Sequence, residues 1–117
     1  MNASARARRR VLTSRIPIRF LAEGVEGVGH LKNVSRAGLL VRSSDLPRPE
    51  CPISLAFEHP DSGASITLRG EVRWTTDGQG SGDASPAFGV QLHEPPRAFT
   101  DFFRWAVEQL EKSDDES

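Results

Sequence analysis

The stretch Asn33-Val34-Ser35-Arg36-Ala37-Gly38-Leu39-Leu40-Val41 decides the fold, because it joins a polar turn to a short apolar run. Residues 35–38 have the composition of a tight turn, and Leu39 to Val41 fit a short buried strand. A preceding strand from Gly27 to Val34 would lead into this turn. If its alternation persists to Ser35, the side chains of Asn33 and Ser35 leave the same face of the sheet.

Outside this hairpin, apolar side chains alternate with polar ones in four further runs, which is the period of a half-buried strand. The runs cover residues 15–21, 53–57, 65–75 and 88–92. The run over 65–75 is the longest, and its alternation carries Trp74 onto the same face as Ile66. Six short strands separated by glycines and prolines are typical of an all-β sandwich or barrel.

From Phe99 onward the apolar spacing changes to that of a helix, which should begin near Thr100 and run to about Lys112. Its aromatic face must cover apolar surface, and an open end or a flank of the barrel is the natural place. We therefore expect one domain over residues 15–112. A flexible arginine-rich segment, residues 1–14, would precede it, and an acidic tail, residues 113–117, would follow it.

Charges are distributed unevenly along the 117 residues, although the net charge is only −1. No acidic residue precedes Glu23, whereas six arginines do. These are Arg6, Arg8, Arg9, Arg10, Arg15 and Arg19. The use of arginine rather than lysine favours bidentate recognition of phosphates or guanine edges. A plain solubilising tail is the alternative interpretation.

Catalysis and metal binding are not expected from this sequence. His30, His59 and His93 lie in different elements, and none has an acid or cysteine at a ligand spacing. The single cysteine, Cys51, cannot form an intramolecular bridge, which favours a cytoplasmic protein. No apolar run approaches the ~20 residues of a membrane-spanning helix. We therefore predict a soluble, non-enzymatic domain without a metal, a cofactor or a membrane-inserted segment.

The turn itself offers a small polar platform for an anionic ligand. Asn33 presents an amide and Ser35 a hydroxyl, while Gly38 permits a positive φ or a close backbone approach. The arginine-rich segment leads into the first strand, so it could fold back over this platform if the strands pair. Its arginines would then clamp phosphates while Asn33 and Ser35 read a base or sugar edge. An ordinary polar hairpin turn is the alternative.

In combination these residues resemble the PilZ family of cyclic di-GMP receptors. The segment Asn33-Val34-Ser35-Arg36-Ala37-Gly38 matches the family's Asp/Asn-x-Ser-x-x-Gly motif, and Ile16-Pro17-Ile18 matches its strand entry. Gly70-Glu71-Val72-Arg73-Trp74 and Phe88-Gly89-Val90-Gln91-Leu92 are similar to its later strands. The resemblance spans roughly residues 8–110 and implies a six-stranded antiparallel β-barrel with a C-terminal α-helix.

The resemblance also implies reversible binding of cyclic di-GMP, which the family often takes up as an intercalated dimer. Arginines of the N-terminal segment would contact phosphates and guanines, and the turn would bond a guanine edge. The binding residues so implied are Arg9, Arg10, Arg15, Asn33, Ser35 and Gly38, with Arg36 and Trp74 as further candidates. Trp74 could instead fill the barrel wall.

The spacing of the arginines departs from the family's Arg-x-x-x-Arg pattern. Counting back from Arg15, the first arginine should fall at Val11, but Arg10 stands one residue earlier. A looped-out residue would preserve the site. Otherwise the chain is a PilZ-fold adaptor that binds a protein and not cyclic di-GMP.

A nucleic-acid binder fits less well, because the net charge is not basic and no set of stacking aromatics accompanies the arginines. No DNA partner is therefore expected. The receptor interpretation requires, besides cyclic di-GMP, an unidentified protein partner that receives the signal.

Overall fold

The computed structural model describes residues 10–77 and 86–115, with side chains over 16–77 and 86–108. Within these residues the chain forms six strands followed by one helix. The elements are β1 (Arg10–Ala22), β2 (Val25–Ser35), β3 (Gly38–Arg42), β4 (Pro52–Glu58), β5 (Ser65–Thr76), β6 (Ala87–Leu92) and α1 (Arg97–Asp115).

The six strands close into an antiparallel barrel in the order β1-β2-β3-β6-β5-β4. This confirms the all-β fold class, a six-stranded antiparallel β-barrel with a C-terminal α-helix. Among the described residues the shortest ladder is the one that closes the ring, where Arg19, Phe20 and Leu21 of β1 pair with Ala56, Leu55 and Ser54 of β4. Each of the other five ladders pairs at least five residues.

The barrel interior is built from the alternation that the sequence shows. In β4, Ile53, Leu55 and Phe57 point inward and are at most 4% exposed, while the residues between them face outward or are half-buried. Across the interior the rings of Phe20 and Phe88 meet edge to face with 4.9 Å between their centroids. Such a core is closely packed, so it holds the outer surface of the wall in a fixed geometry.

Helix α1 closes the barrel with its aromatic face. Phe99, Phe102 and Ala106 are at most 1% exposed and belong to the same core cluster as the barrel interior. The ring of Phe102 packs edge to face on that of Phe57, with 4.9 Å between centroids. The helix begins three residues before the predicted start at Thr100, and it continues to Asp115 instead of ending near Lys112.

Strand β1 begins at Arg10, five residues before the predicted start at Arg15. The register explains the difference, because the ladder with β2 is interrupted and then resumes closer to the N-terminus. Residues 12–15 lie in the interruption, and Val11 and Arg10 rejoin the ladder. Of the flexible segment predicted for residues 1–14, residues 10–14 belong to β1, whereas residues 1–9 lie outside the described residues, as do 78–85 and 116–117.

Cys51 is only 4% exposed, and burial raises the pKa of its thiol. Since the thiolate is the reactive species, we expect iodoacetamide to modify Cys51 at least about 100-fold more slowly in the native protein than in urea. Mass spectrometry of quenched samples measures both rates, and the single cysteine makes the signal unambiguous. Equal rates would contradict a closed barrel wall at this position.

Candidate functional site

A bulge in β2 sets the direction of the polar side chains that precede the β2–β3 turn. Leu31 pairs with Val41 of β3, and Asn33 pairs with Leu40, so Lys32 is the extra residue on the β2 side. A bulge of one residue shifts the alternation of a strand by one position. From Asn33 onward, side chains of β2 that would point inward in a regular strand therefore point outward, and the reverse holds for their neighbours.

The shift places Asn33 and Ser35 on the outer face of the barrel. Val34 between them is fully buried and pairs with Leu39, another core residue. Neighbours in a strand point to opposite faces, so the two polar side chains flanking Val34 both point outward. This confirms the sequence-based expectation that Asn33 and Ser35 share one face.

The turn after Ser35 is fixed by strand β6. Ser35 pairs with Gly38 across the two-residue loop Arg36-Ala37. The backbone N–H of Leu92 donates to the carbonyl oxygen of Ala37 at 2.8 Å. A Cβ on Gly38 would lie 3.0 Å from the carbonyl oxygen of Val90, so glycine allows a close strand approach that any other residue would crowd. The sequence left two roles open for Gly38, a positive φ or a close backbone approach. Its φ is not positive, so the close approach is the role that applies.

Asn33 differs from the other buried polar residue among the described positions. Ser43, 6% exposed, donates through Oγ to the carbonyl oxygen of Val28 at 2.5 Å and accepts from the N–H of Asp45 at 2.9 Å. Asn33 is 8% exposed, yet its side chain forms no hydrogen bond with the described part of the chain. An amide with unused donors and acceptors at this depth is a ready partner for a ligand.

A second bulge, in β5, turns Trp74 outward. Val72 pairs with Val90 and Trp74 with Gly89, so Arg73 is the extra residue, and Arg73 and Trp74 are both exposed. The prediction that Trp74 continues the alternation from Ile66 is therefore wrong. Trp74 does not fill the wall: it lies against Gly89, where a Cβ would come within 2.5 Å of its indole Nε1.

Asn33 and Trp74 stand at the two ends of one cross-strand row. Asn33 pairs with Leu40, Leu40 with Gly89, and Gly89 with Trp74, so all four belong to the outer face of β2, β3, β6 and β5. Three strand spacings separate the ends of the row by ~14 Å along the wall. We call this row, together with Ser35 and Gly38, the outer platform.

The N-terminal arginines approach the outer platform through the backbone of β1. Arg10 pairs with Val34, which stands between Asn33 and Ser35. Val11 and Ile16 of β1 are five residues apart, whereas their partners on β2, Asn33 and Leu31, are two residues apart. The irregular stretch of β1 between them, which includes Arg15, therefore holds three extra residues. The backbone of Arg10 thus lies beside the turn, Arg36 is exposed within it, and Arg9 lies outside the described residues.

A family model described as the PilZ domain matches residues 4–105. The chain belongs to the PilZ domain family. PilZ domains are regulatory receptors rather than enzymes. A search of curated proteins finds no match to this PilZ domain.

Two solved structures show the same fold. Bacillus subtilis inhibitor of motility, MotI/DgrA, superposes with a TM-score of 0.74 at 13% identity over 92% of this chain and 52% of its own. The PilZ domain of CeSA from a cellulose-synthesizing bacterium gives a TM-score of 0.53 at 14% identity, over 89% of this chain and 94% of its own. This PilZ domain therefore spans about half the length of MotI/DgrA.

The sequence interpretation omitted Leu40 and Gly89 of the outer platform, and also Gln91, which lies beside it. Gly89 forms the surface on which Trp74 lies, and Gln91 is exposed directly opposite Gly38. An isolated glycine between Phe88 and Val90 was the available signal, because glycine inside a strand often marks a close approach. The sequence around Gln91 gives no such signal, because its position opposite Gly38 depends on the order of strands in the barrel.

Over residues 10–77 and 86–115 of this PilZ domain, no three His, Cys, Asp or Glu residues are grouped so that they could hold a metal ion. In the same part of the chain, no helix is long and apolar enough to cross a membrane. The outer platform combines the Asn33 amide, unpaired within the described residues, with the exposed ring of Trp74.

Proposed function

We propose that this PilZ domain is a cytoplasmic receptor that binds cyclic di-GMP reversibly on the outer platform and passes the signal to a protein partner. The observation that carries the proposal is the Asn33 amide, which faces outward on the same row as Trp74 without a hydrogen bond in the described chain. A flat, polar-edged ligand satisfies both ends of that row.

Asn33 and Ser35 supply the hydrogen bonds to a base edge. The Watson–Crick edge of guanine carries both donors and an acceptor, which complement an amide and a hydroxyl. Gly38 lies opposite Ser35 and has no side chain, so it does not block the approach of a guanine edge. Bidentate pairing of an amide with a base contributes about 1–3 kcal/mol of discrimination.

Trp74 supplies a stacking surface. Its indole is 37% exposed and is supported from behind by Gly89. Stacking of a base on an aromatic side chain contributes about 1–3 kcal/mol and tolerates any base. Trp74 would therefore add affinity, while Asn33 and Ser35 would add selectivity for guanine.

Arg10 and Arg15 of β1 supply the positive charge for the phosphates. The irregular stretch between Val11 and Ile16 supports this role, because extra residues on β1 are accommodated there and Arg10 still lies opposite Val34. The spacing of Arg10 and Arg15 is thus compatible with a site beside Asn33. Each charge-assisted hydrogen bond to a phosphate contributes about 1.5–3 kcal/mol.

Transmission of the signal follows from where the ligand would sit. A nucleotide on the outer platform would order the arginine-rich segment against the turn, and a protein partner would then meet a newly formed surface. One structural neighbour is an inhibitor of motility, which is consistent with a regulatory output through another protein.

Isothermal titration calorimetry with cyclic di-GMP tests the proposal. We expect heat of binding at tens of micromolar protein, and at least about a tenfold loss of affinity in Arg15→Ala and in Ser35→Ala. Ser65→Ala, an exposed serine elsewhere on β5, is the matched control and should bind like the wild type. Absence of heat in the wild type would reject the receptor and leave the PilZ-fold adaptor. Equal binding by both variants would reject the site.

A further inference from the structure

Gly38 leaves a gap in the outer wall beside the β2–β3 turn. Ser35 of β2 pairs with Gly38, and Gly38 pairs with Gln91 of β6, so these residues form one row across three adjacent strands. The middle residue of the row has no side chain. Ser35 and Gln91 therefore border a floor of open backbone, and they lie two strand spacings apart, about 10 Å.

Polar side chains stand on both sides of this gap. The Ser35 Oγ lies 3.4 Å from the position that a Cβ on Gly38 would take, so the hydroxyl lines one side directly. On the other side Gln91 is exposed. Neither the hydroxyl nor the Gln91 amide forms a hydrogen bond with the described part of the chain. Both groups are thus available to a ligand that enters the gap.

Strand β6 is held close to the turn by its backbone. The N–H of Leu92, the residue after Gln91, donates to the carbonyl oxygen of Ala37 at 2.8 Å. The β3–β6 ladder continues without interruption from Gly38 to Arg42. The fold itself therefore places the backbone of Gln91 beside the gap, and only its side chain has to turn toward a ligand.

The next residue of the row leaves the Gln91 amide unoccupied. Glu71 of β5 pairs with Gln91, but its carboxylate Oε1 accepts from Nη1 of Arg73 at 3.4 Å. The same contact offsets the negative charge of Glu71, which would otherwise disfavour an anionic ligand nearby. Gln91 thus has a glycine on one side and a carboxylate engaged elsewhere on the other.

We propose that the Gln91 amide donates a hydrogen bond to N7 of the guanine that Asn33 and Ser35 hold. This contact rests on the proposed cyclic di-GMP site. Asn33 and Ser35 take the Watson–Crick edge, which includes O6, so N7 is the acceptor left on the far side of the base. A purine with a hydrogen bond on each side spans about 10 Å, which is the width of the gap.

The order of the strands assigns this contact to β6. Arg10 and Arg15 belong to β1, which lies on the other side of β2 from the gap. N7 of guanine only accepts, so its partner must supply an N–H or O–H group. A glutamine amide supplies two N–H donors on a side chain long enough to bend over Gly38. Gripping the base from both sides adds selectivity that the Asn33 and Ser35 contacts alone do not supply.

Ligands altered at one edge of the base test the contact by calorimetry. The 7-deaza analogue of cyclic di-GMP replaces N7 with carbon, whereas cyclic di-IMP lacks the 2-amino group of the Watson–Crick edge. We expect the wild type to bind the 7-deaza analogue about five- to tenfold more weakly than cyclic di-GMP. Gln91→Glu keeps the shape of the side chain but cannot donate, so it should bind these two ligands equally. Its preference for cyclic di-GMP over cyclic di-IMP should remain.

Two further variants separate the contact from a structural role. Gln91→Ala should also bind cyclic di-GMP and the 7-deaza analogue equally. Thr67→Ala, exposed on the part of β5 that pairs with β4, should keep the wild-type ratio of the two affinities. Urea unfolding measures the stability of each variant without ligand, and a merely structural Gln91 would change that stability while leaving the ratio as in the wild type.

Equal binding of cyclic di-GMP and the 7-deaza analogue by the wild type would overturn the contact. So would a wild-type ratio in both Gln91 variants. In either case the receptor function stands, because the wild type still binds cyclic di-GMP. A wild type that gives no heat with cyclic di-GMP would reject the receptor and the contact together, so the two failures have different signatures.

Discussion

Replacing Asn33 with alanine is expected to weaken cyclic di-GMP binding about 10- to 100-fold while leaving the free energy of unfolding within about 1 kcal/mol of the wild type. The two effects separate because the Asn33 side chain faces the outer platform and forms no hydrogen bond with the described part of the chain. Its removal therefore breaks no hydrogen bond of the described barrel, but it removes a bidentate partner from the ligand.

Calorimetry and urea unfolding measure the two quantities on the same preparation. Asn33→Asp is the conservative variant, since a carboxylate accepts from two adjacent guanine N–H groups and should retain binding to within about tenfold. A loss of stability equal to the loss of binding energy in Asn33→Ala would show that the amide is structural. Unchanged affinity would remove Asn33 from the site.

Replacing Phe102 with alanine is expected to lower the free energy of unfolding by about 3–5 kcal/mol. The ring is fully buried and contacts Phe57 at 4.9 Å and Trp105 at 5.9 Å between ring centroids. Its loss leaves a cavity where α1 closes the barrel. Since domains of this size are stable by about 5–15 kcal/mol, the variant would lose a large fraction of its stability.

Urea unfolding followed by circular dichroism measures this loss, and Phe103→Ala is the matched control. Phe103 is the next residue of the same helix, is of the same type and is only half-buried, so its replacement should cost less than half as much. Equal losses in the two variants, or no loss in Phe102→Ala, would contradict a helix that seals the barrel.

The strands were predictable wherever the alternation is uninterrupted. In β4 the inward positions Ile53, Leu55 and Phe57 follow from the period of two alone, and the aromatic face of α1 follows equally from the helical period. Prediction fails where one residue is added to a strand. At Arg73 such a bulge exchanges the faces of β5, so that the pattern placed Trp74 on the wrong side of the wall.

The candidate site was predictable in part for a similar reason. Asn33, Ser35 and Gly38 are close in sequence, so the family motif names them directly. Gly89 and Gln91 join them only because β6 inserts between β3 and β5, and such neighbours depend on the order of strands around the whole barrel. The path of β1 before Ile16 could not be predicted from the sequence either, because an irregular stretch with several extra residues has no fixed residue signature.

The short β1–β4 ladder has a consequence for how the barrel opens. This ladder joins strands that are distant in the chain, so it closes late in folding and its amide protons should exchange with solvent before those of the hairpin ladders. The barrel is therefore expected to open locally along the seam between β1 and β4, where, among the described residues, the fewest strand pairs hold it shut.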